Sequence, residues 1–290
     1  MKKILVLGSR GMLGSMVYKV LSQDSAFAVI GTQSEDKNAP FYFTIEQGSA
    51  GLAILGECDY FINCIGVLSP VTDVERATAV NAKFPHALAA YAEKISARVI
   101  HMSTNGVFAS RTTPYKESEK TTATDIYGKT KSDGEVVADN VLNIRTSIIG
   151  PSPIKKKGLL EWFRGQPNGA TIQGYTNDHW NGVTTLQFAE LCRRIIIGDP
   201  LSFERSREVP FEALRREGLA IHFVPNQTVT KYELLILLQK FLQKTITIVP
   251  TEDPRGEQSH LLTSTSKILP SLFPHDIPME RAINDLVPYF

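Results

Sequence analysis

The most constraining feature of the chain is a glycine-rich segment that directly follows a short apolar run. Ile4 to Leu7 are apolar, and Gly8, Gly11 and Gly14 then recur at intervals of three. In such a loop the first glycine permits a tight turn, the second lets the backbone approach a pyrophosphate, and the third allows close helix packing. Free N–H groups at the start of the following helix attract phosphate. The segment predicts a dinucleotide-binding loop, with an ordinary strand-to-helix turn as the simpler alternative.

Apolar runs and helical patterns alternate through the first half of the chain. Helical spacing is present at 12–21 and 74–95 and in the segment that carries Tyr127 and Lys131. Short apolar runs between the helices predict strands at 3–7, 27–30, 41–45, 59–64, 98–102 and 141–144. Strand and helix in alternation predict an α/β fold of the Rossmann type, a doubly wound parallel sheet with right-handed crossovers.

The pattern changes after Pro151, where proline, glycine and lysine become frequent. We therefore expect a nucleotide-binding domain over 1–150, completed by about 176–200, and a smaller substrate-binding lid within 151–290. Two capping boxes predict later helices, because a Thr at the N-cap and a Gln or Glu three residues on satisfy each other's backbone N–H groups. They are formed by Thr184 with Gln187 and by Thr230 with Glu233.

Composition excludes several classes of protein. The chain has 290 residues and a formal net charge of +1, which gives no electrostatic case for a nucleic-acid or anionic-membrane partner. It contains no apolar stretch of the roughly 18 residues that a membrane helix needs. The three cysteines and six histidines show no metal-ligand spacing. We expect a cytoplasmic protein with reduced thiols, no bound metal and, where it associates, a homo-oligomer.

A tyrosine and a lysine four residues apart, Tyr127 and Lys131, suggest acid catalysis. Residues at this spacing share one face of a helix, so the ammonium group favours the phenolate form of the tyrosine. Thr104 follows the strand predicted at 98–102, where it can hydrogen-bond a substrate carbonyl. Taken alone, such a Tyr/Lys pair is usually only part of a helix surface. Its place after a strand end, where α/β proteins bind ligands, favours the catalytic interpretation.

The loop also favours NADP(H) over NAD(H). A guanidinium at Arg10 is suited to the 2′-phosphate of NADP. The end of the second predicted strand, 31–34, lacks the acidic residue that would hold a free ribose hydroxyl. Glu35 and Asp36 follow shortly afterwards, and a solvated Arg10 remains the alternative.

Several motifs together resemble the extended short-chain dehydrogenases/reductases, close to the dTDP-4-dehydrorhamnose reductase branch. Residues 103–108 read Ser-Thr-Asn-Gly-Val-Phe, where that branch typically has Ser-Thr-Asp-Tyr-Val-Phe. The Tyr-Gly-Lys-Thr-Lys segment with its downstream Gly-Glu matches the catalytic helix of the branch. The resemblance covers nearly the whole chain and includes Asn-Cys-Ile-Gly at 63–66, Val-Asn at 80–81, Arg-Thr-Ser at 145–147 and Thr-Lys-Tyr-Glu-Leu-Leu at 230–235.

The resemblance implies that NADPH reduces the C4 carbonyl of a nucleotide-linked 4-keto-6-deoxy sugar. Tyr127 is then the acid, Lys131 lowers its pKa and holds the ribose, and Thr104 orients the carbonyl. The implied substrate-binding residues are Asn105, Arg145, Trp180 and Asn181, with the lysines at 155–157 as further candidates or a merely solvated run. The implied cofactor-binding residues are Gly8, Arg10, Gly11, Met12, Leu13, Gly14, Thr32, Cys64, Gly66, Asn81, Ser103 and Lys131.

Departures from the family pattern leave the sugar open. Asn105 and Gly106 replace the Asp-Tyr that shapes the pocket of the rhamnose enzyme, and 174–184 does not follow its sequence. Two rival functions use the same scaffold. One is an epimerase or dehydratase that retains NAD, and the other is a non-catalytic NADP-binding subunit resembling the beta subunit of methionine adenosyltransferase.

Overall fold

A parallel sheet forms the centre of the molecule. The computed structural model describes residues 1–38, 40–198 and 210–290. Six strands form the sheet: β1 (Lys2–Leu7), β2 (Phe27–Gly31), β3 (Tyr60–Asn63), β4 (Arg98–Met102), β6 (Val141–Arg145) and β11 (Ala220–His222). Their order is β11-β6-β4-β3-β1-β2, and all neighbours are parallel. The α/β prediction of a doubly wound parallel sheet is therefore confirmed.

Helices cover both faces of the sheet. Those of the first half are α1 (Met12–Ser22), α2 (Gly48–Ile54), α3 (Val74–Ala77), α4 (Phe84–Lys94) and α5 (Ile126–Asp133). Those of the second half are α6 (Leu159–Arg164), α7 (Thr185–Ile197), α8 (Pro210–Arg216), α9 (Lys231–Leu242), α10 (Leu269–Leu272) and α11 (Met279–Leu286). In β1, Ile4 and Val6 enter the core shared with α1 and α7, whereas Leu5 and Leu7 enter the core shared with α4. This alternation follows from the two-residue period of a strand.

Short strand pairs build the part of the molecule beyond the sheet. Their members are β5 (Arg111–Tyr115), β7 (Ile148–Ile149), β8 (Thr171–Tyr175), β9 (His179–Trp180), β10 (Val183–Thr184), β12 (Val229–Thr230), β13 (Thr247–Thr251) and β14 (His260–Leu262). They pair as β5 with β14, β7 with β10, β8 with β13 and β9 with β12. A third core, in which α6, α9 and α11 pack together, stabilises this region. Within the described ranges, no helix is long and apolar enough to cross a membrane.

The strand predicted at 41–45 is wrong. Tyr42 makes only an isolated bridge to Gln33, and Ile45–Gln47 is a 3₁₀ turn. The cause is local, because the Gln47 side chain accepts a hydrogen bond from the Thr44 N–H at 2.7 Å and starts a helical turn.

The helix predicted over 74–95 is continuous but not uniform. A π-helical segment, Thr78–Lys83, lies between α3 and α4, and the last helical residue is Lys94. Pro85 lies one residue into α4 and has no N–H to donate to the preceding turn. Both predicted capping boxes are confirmed at the starts of α7 and α9.

The C-terminal half contributes to the nucleotide-binding layers. Strand β11 forms the edge of the sheet beside β6, and α7 packs on α1 through buried residues that include Leu191 and Ile195. Sequence analysis missed β11, because a strand of three residues is too short for a periodic signal. The sheet therefore includes a strand at 220–222, beyond the 176–200 region expected to complete the nucleotide-binding domain.

Glu117 joins this C-terminal half to the segment after β5. Its carboxylate accepts hydrogen bonds from the Ser264 hydroxyl, from the Thr265 N–H and hydroxyl, and from the His222 N–H. Burial disfavours the charged form, but these hydrogen bonds outweigh it and hold the pKa of Glu117 below its usual 4.5.

We predict that Glu117→Gln lowers stability at neutral pH but not in acid. The folded-state pKa is depressed, so the carboxylate contributes stability above the unfolded-state pKa and loses it as pH falls through the folded-state pKa. Thermal unfolding from pH 7 to pH 3 measures the difference in Tm between wild type and variant. The gap should close toward pH 3, and Glu93→Gln, on the exposed face of α4, should show no such trend. A gap that is constant with pH would contradict the prediction.

Candidate active site

The glycine-rich loop forms a tight cradle between β1 and α1. Gly8 has φ +77°, in the left-handed region that favours glycine. A Cβ on Gly14 would lie 2.2 Å from the Gly8 carbonyl oxygen, so the start of α1 approaches the loop more closely than any other residue permits. Gly11 closes the turn by donating its N–H to the Gly8 carbonyl at 3.0 Å. Met12 and Leu13 are the first residues of α1. This cradle fits the pyrophosphate of a dinucleotide.

The end of β2 holds the loop from the side. The buried Thr32 accepts a hydrogen bond from the Gly8 N–H at its Oγ1, and its carbonyl accepts one from the Ser9 hydroxyl. Thr32 therefore fixes the conformation of the predicted cofactor loop through its hydrogen bonds to Gly8 and Ser9. Arg10 is exposed, and its Nε lies 3.8 Å from the Glu35 carboxylate.

The turn after β3 lies beside the glycine-rich loop, at the carboxyl ends of the parallel strands. Cys64 in this turn is only partly accessible to solvent. Its burial raises the pKa of the thiol to about 12, so the thiol is neutral near pH 7. The buried Asn81 fixes the chain just beyond Gly66, because its amide pairs with both backbone groups of Val67 and donates to Thr130 on α5. The predicted cofactor residue Asn81 thus joins this turn to the helix that carries Tyr127.

Thr104 stands immediately beyond β4. Its Oγ1 accepts a hydrogen bond from the Gly106 N–H at 3.1 Å, and its own O–H makes only a long contact of 3.4 Å to Asn105 Oδ1. The hydroxyl proton is therefore available to an incoming acceptor. The Asn105 amide donates to the His260 carbonyl of β14, so this predicted substrate residue connects the strand end to the C-terminal half.

Tyr127 lies on α5 close to Thr104, because a Cβ on Gly106 would lie 3.3 Å from the tyrosine ring and 3.4 Å from Thr104 Oγ1. Two glycines allow this approach. A Cβ on Gly128 would lie 2.1 Å from the Gly106 carbonyl oxygen, and one on Gly106 would lie 3.3 Å from the tyrosine ring. Burial raises the pKa of Tyr127, and the nearby Thr104 hydroxyl opposes that rise only in part. Burial determines the net direction of this pKa, and the expectation that Lys131 favours the phenolate stays a prediction.

Lys131 is buried one turn along the same face of α5. Its Nζ donates to the Met102 carbonyl at 2.7 Å, at the last residue of β4. Burial lowers the pKa of Lys131 from 10.5 to about 8, while Glu135 and Cys64 act in the opposite direction. The helix thus places the phenol close to the Thr104 side chain and the ammonium group against the Met102 carbonyl, two residues before Thr104.

A buried ion pair underlies these groups. Glu135 accepts hydrogen bonds from Arg145 Nε at 2.7 Å and Arg145 Nη2 at 2.6 Å, and from the Ser103 hydroxyl at 2.6 Å. The Arg145 guanidinium also lies 5.1 Å from the ring centre of Phe108. Arg145 is 2% exposed, and the expectation that it binds substrate stays a prediction. The Ser103 hydroxyl, expected at the cofactor, is likewise directed at Glu135.

The other predicted substrate residues lie in the C-terminal half. Trp180 is buried and donates its ring N–H to the Ser147 hydroxyl, while Lys231 Nζ lies 5.6 Å from its ring centre. The Asn181 amide is held by both backbone groups of Leu262. The lysines at 155–157 are exposed, and the adjoining Gly158 lies against Met12 at the start of α1.

Two features of this site escaped the sequence interpretation. Glu135 was matched only as the end of the Tyr-Gly-Lys-Thr-Lys motif, although its spacing of four residues from Lys131 could have suggested a shared role. Sequence analysis notes Glu35 only as an acid shortly after the end of the second strand, and does not indicate that its carboxylate lies near Arg10. Within the described ranges, no group of three or more His, Cys, Asp or Glu side chains could hold a metal ion.

Comparison with known families agrees with this arrangement. The model of the RmlD substrate binding domain family matches residues 1–150, which is more than half of the chain. The chain belongs to the RmlD substrate-binding domain family.

Known relatives of this RmlD-family chain differ in how much of it they match. The dTDP-4-dehydrorhamnose reductase of Mycolicibacterium smegmatis is 31% identical over 139 residues, which span 46% of this chain and 40% of the relative. The match thus covers less than half the length of that enzyme. Methionine adenosyltransferase 2 subunit beta of Danio rerio is 25% identical over an aligned length of 308 residues, gaps included. The alignment spans 98% of this chain and 90% of the relative.

A solved structure shares the fold over the whole chain. It is dTDP-4-dehydrorhamnose reductase from Bacillus anthracis in complex with NADP, with a TM-score of 0.77 at 13% identity, and it covers 100% of this chain and 99% of that one. At this identity the likeness speaks for the fold of the RmlD-family chain.

We predict that Arg145→Met destabilises the RmlD-family fold by about 3–5 kcal/mol, because it leaves the Glu135 carboxylate buried without its cation. Chemical denaturation measures the loss. The double variant Arg145→Met/Glu135→Leu should recover most of it, since no unpaired charge then remains. Arg76→Met, which breaks the exposed pair with Glu46, is the control and should cost less than about 1 kcal/mol. An equal loss of unfolding free energy in Arg145→Met and Arg76→Met would show that the buried pair contributes no more to stability than an exposed one.

Proposed function

We propose that the chain is a reductase that uses NADPH to reduce the C4 carbonyl of a nucleotide-linked 4-keto-6-deoxy sugar. The observation that carries the proposal is the meeting of Thr104, Tyr127 and Lys131 just beyond β4, at the same sheet edge as the glycine-rich cradle. Membership of the RmlD family and the NADP-bound neighbour support a sugar-nucleotide substrate and a nicotinamide cofactor.

Each residue of the trio has a distinct task in this proposal. The Thr104 hydroxyl donates to the substrate carbonyl, and that hydrogen bond strengthens as the oxygen gains negative charge. Bound NADPH supplies the hydride that goes to the carbonyl carbon. Tyr127 gives its phenolic proton to the carbonyl oxygen, and the ammonium group of Lys131 stabilises the phenolate that remains. The product is the alcohol at C4.

The protonation states suit reduction near neutral pH. Burial raises the pKa of Tyr127, so the phenol holds the proton that it has to donate. Lys131, with a pKa of about 8, remains mostly charged at pH 7. Both groups are therefore in the form that the reduction requires.

We expect Tyr127→Phe to lower kcat by about 10²- to 10⁴-fold, the usual contribution of a general acid, with NADPH affinity nearly unchanged. The assay follows loss of NADPH absorbance against a panel of nucleotide-linked 4-keto-6-deoxy sugars, with NADH run in parallel. A rate within threefold of wild type in the variant would exclude Tyr127 as the acid.

We predict that kcat/KM falls above about pH 8, because Lys131 then loses the charge that stabilises the Tyr127 phenolate. Lys131→Arg keeps a cation at every accessible pH. Its residual activity should lack this alkaline decline, and tight NADPH binding by the variant would show that it is folded. A decline near pH 8 that persists in Lys131→Arg would assign the titration to another group.

A second candidate is a subunit role without turnover. The observation that favours it is the match of nearly full length to methionine adenosyltransferase 2 subunit beta. Size-exclusion chromatography of the chain with a purified methionine adenosyltransferase tests it. A stoichiometric complex, together with NADPH binding but no consumption across the sugar panel, would favour this role over the reductase.

A further inference from the structure

Just beyond the end of β2, an acidic side chain lies close to a basic side chain of the glycine-rich loop. Arg10 Nε lies 3.8 Å from Glu35 Oε2, and both side chains are partly exposed, at 46% and 39%. Arg10 is the guanidinium that sequence analysis assigned to a 2′-phosphate. In the structure, the acidic group paired with Arg10 is the Glu35 carboxylate.

The position of Glu35 is set by the turn around Gln33. The Gln33 side-chain oxygen accepts hydrogen bonds from the N–H groups of Glu35 at 2.8 Å and Asp36 at 2.9 Å. The Glu35 carboxylate accepts a further one from the Ser34 N–H at 3.2 Å. Glu35 lies four residues beyond the end of β2, and this turn directs its carboxylate back toward Arg10 of the glycine-rich loop.

The loop and the turn are also joined to each other. Gly8 and Ser9 donate their N–H groups to Thr32, the residue that precedes Gln33. The distance between Arg10 and Glu35 is therefore constrained by backbone contacts on both sides. The two side chains remain solvated enough to change partners when a ligand arrives.

The two charges favour different dinucleotides. A guanidinium binds the 2′-phosphate of NADP through charge-assisted hydrogen bonds. A carboxylate at the end of the second strand accepts a hydrogen bond from the free 2′-hydroxyl of NAD and repels the phosphate. To bind NADP, Arg10 has to exchange the Glu35 carboxylate for the phosphate while that carboxylate remains close by.

We infer that Glu35 is a specificity-determining residue, which weakens the preference for NADP(H) over NAD(H) by competing with the 2′-phosphate for Arg10. The inference rests on the proposed function in one respect, that the glycine-rich loop holds a nicotinamide dinucleotide. It does not require turnover. Glu35 and Arg10 together thus set a modest preference where Arg10 alone would set a strong one.

Equilibrium binding of NADPH and NADH, measured by fluorescence titration, tests the inference on the intact chain. Glu35→Gln should tighten NADPH about fivefold and leave NADH unchanged or weaker, the scale expected for a partly exposed charge pair. Asp36→Asn is the matched control, because it removes an equal charge from the same turn without touching Arg10. Its NADPH/NADH affinity ratio should stay within twofold of wild type, on the same estimate.

Competition for Arg10 itself is tested in the background Arg10→Gln. There the gain from Glu35→Gln should shrink to less than half, because no guanidinium remains to be released. Adenosine 2′,5′-bisphosphate and AMP, used as probes without the nicotinamide half, should repeat the pattern. Agreement between probes and dinucleotides would place the effect at the 2′-position.

Three results would overturn the inference. They are an unchanged NADPH/NADH ratio in Glu35→Gln, an equal shift in Asp36→Asn, and a gain that persists in full when Arg10 is replaced. If the wild-type chain binds neither dinucleotide, the proposed function and the inference fail together. If the ratio shifts as expected but no sugar nucleotide is reduced, the inference stands and the reductase proposal alone fails.

Discussion

The candidate site depends on one buried carboxylate. Glu135 binds Arg145 of β6 through two hydrogen bonds and Ser103 at the end of β4 through a third. Ser103 precedes Thr104, and Glu135 lies four residues beyond Lys131. The same carboxylate therefore fixes the strand end that carries the hydroxyl and the helix that carries the phenol and the ammonium group. Burying such charges is unfavourable unless both are paired, so loss of either Glu135 or Arg145 alone leaves an uncompensated charge beneath the site.

Close backbone contacts at glycine residues also hold the elements of the site together. Gly128 brings α5 against the turn after β4, and Gly134 lies against the Asn81 carbonyl of the π-helical segment, where a Cβ would approach to 1.9 Å. Gly14 does the same between α1 and the phosphate loop. At each place a side chain would force two elements apart. The cradle and the trio are thus held at one sheet edge by contacts that only glycine permits.

Much of this could be predicted from sequence because it is local. The glycine spacing and the two capping boxes each lie within a few residues, and each strand or helix of the alternation has its own short pattern. The structure has all of these except the strand expected at 41–45. The sequence does not predict the role of Arg145 or strand β11, because distant contacts decide both. Nothing in the sequence around Arg145 distinguishes a substrate contact from a partner of Glu135, and β11 is a strand only because β6 lies beside it. The turn that returns Glu35 to Arg10 depends on the Gln33 side chain, which has no periodic signature.

In the proposed reaction, Thr104, Tyr127 and Lys131 promote the transfer of hydride to a sugar carbonyl from a dinucleotide bound at the glycine-rich loop. The most direct test is a single turnover with NADPH deuterated at the transferable C4 position, followed by mass spectrometry of the sugar nucleotide. The account predicts one deuterium atom on carbon 4 of the product sugar. An unlabelled sugar after full binding of the labelled NADPH and a keto substrate would contradict it.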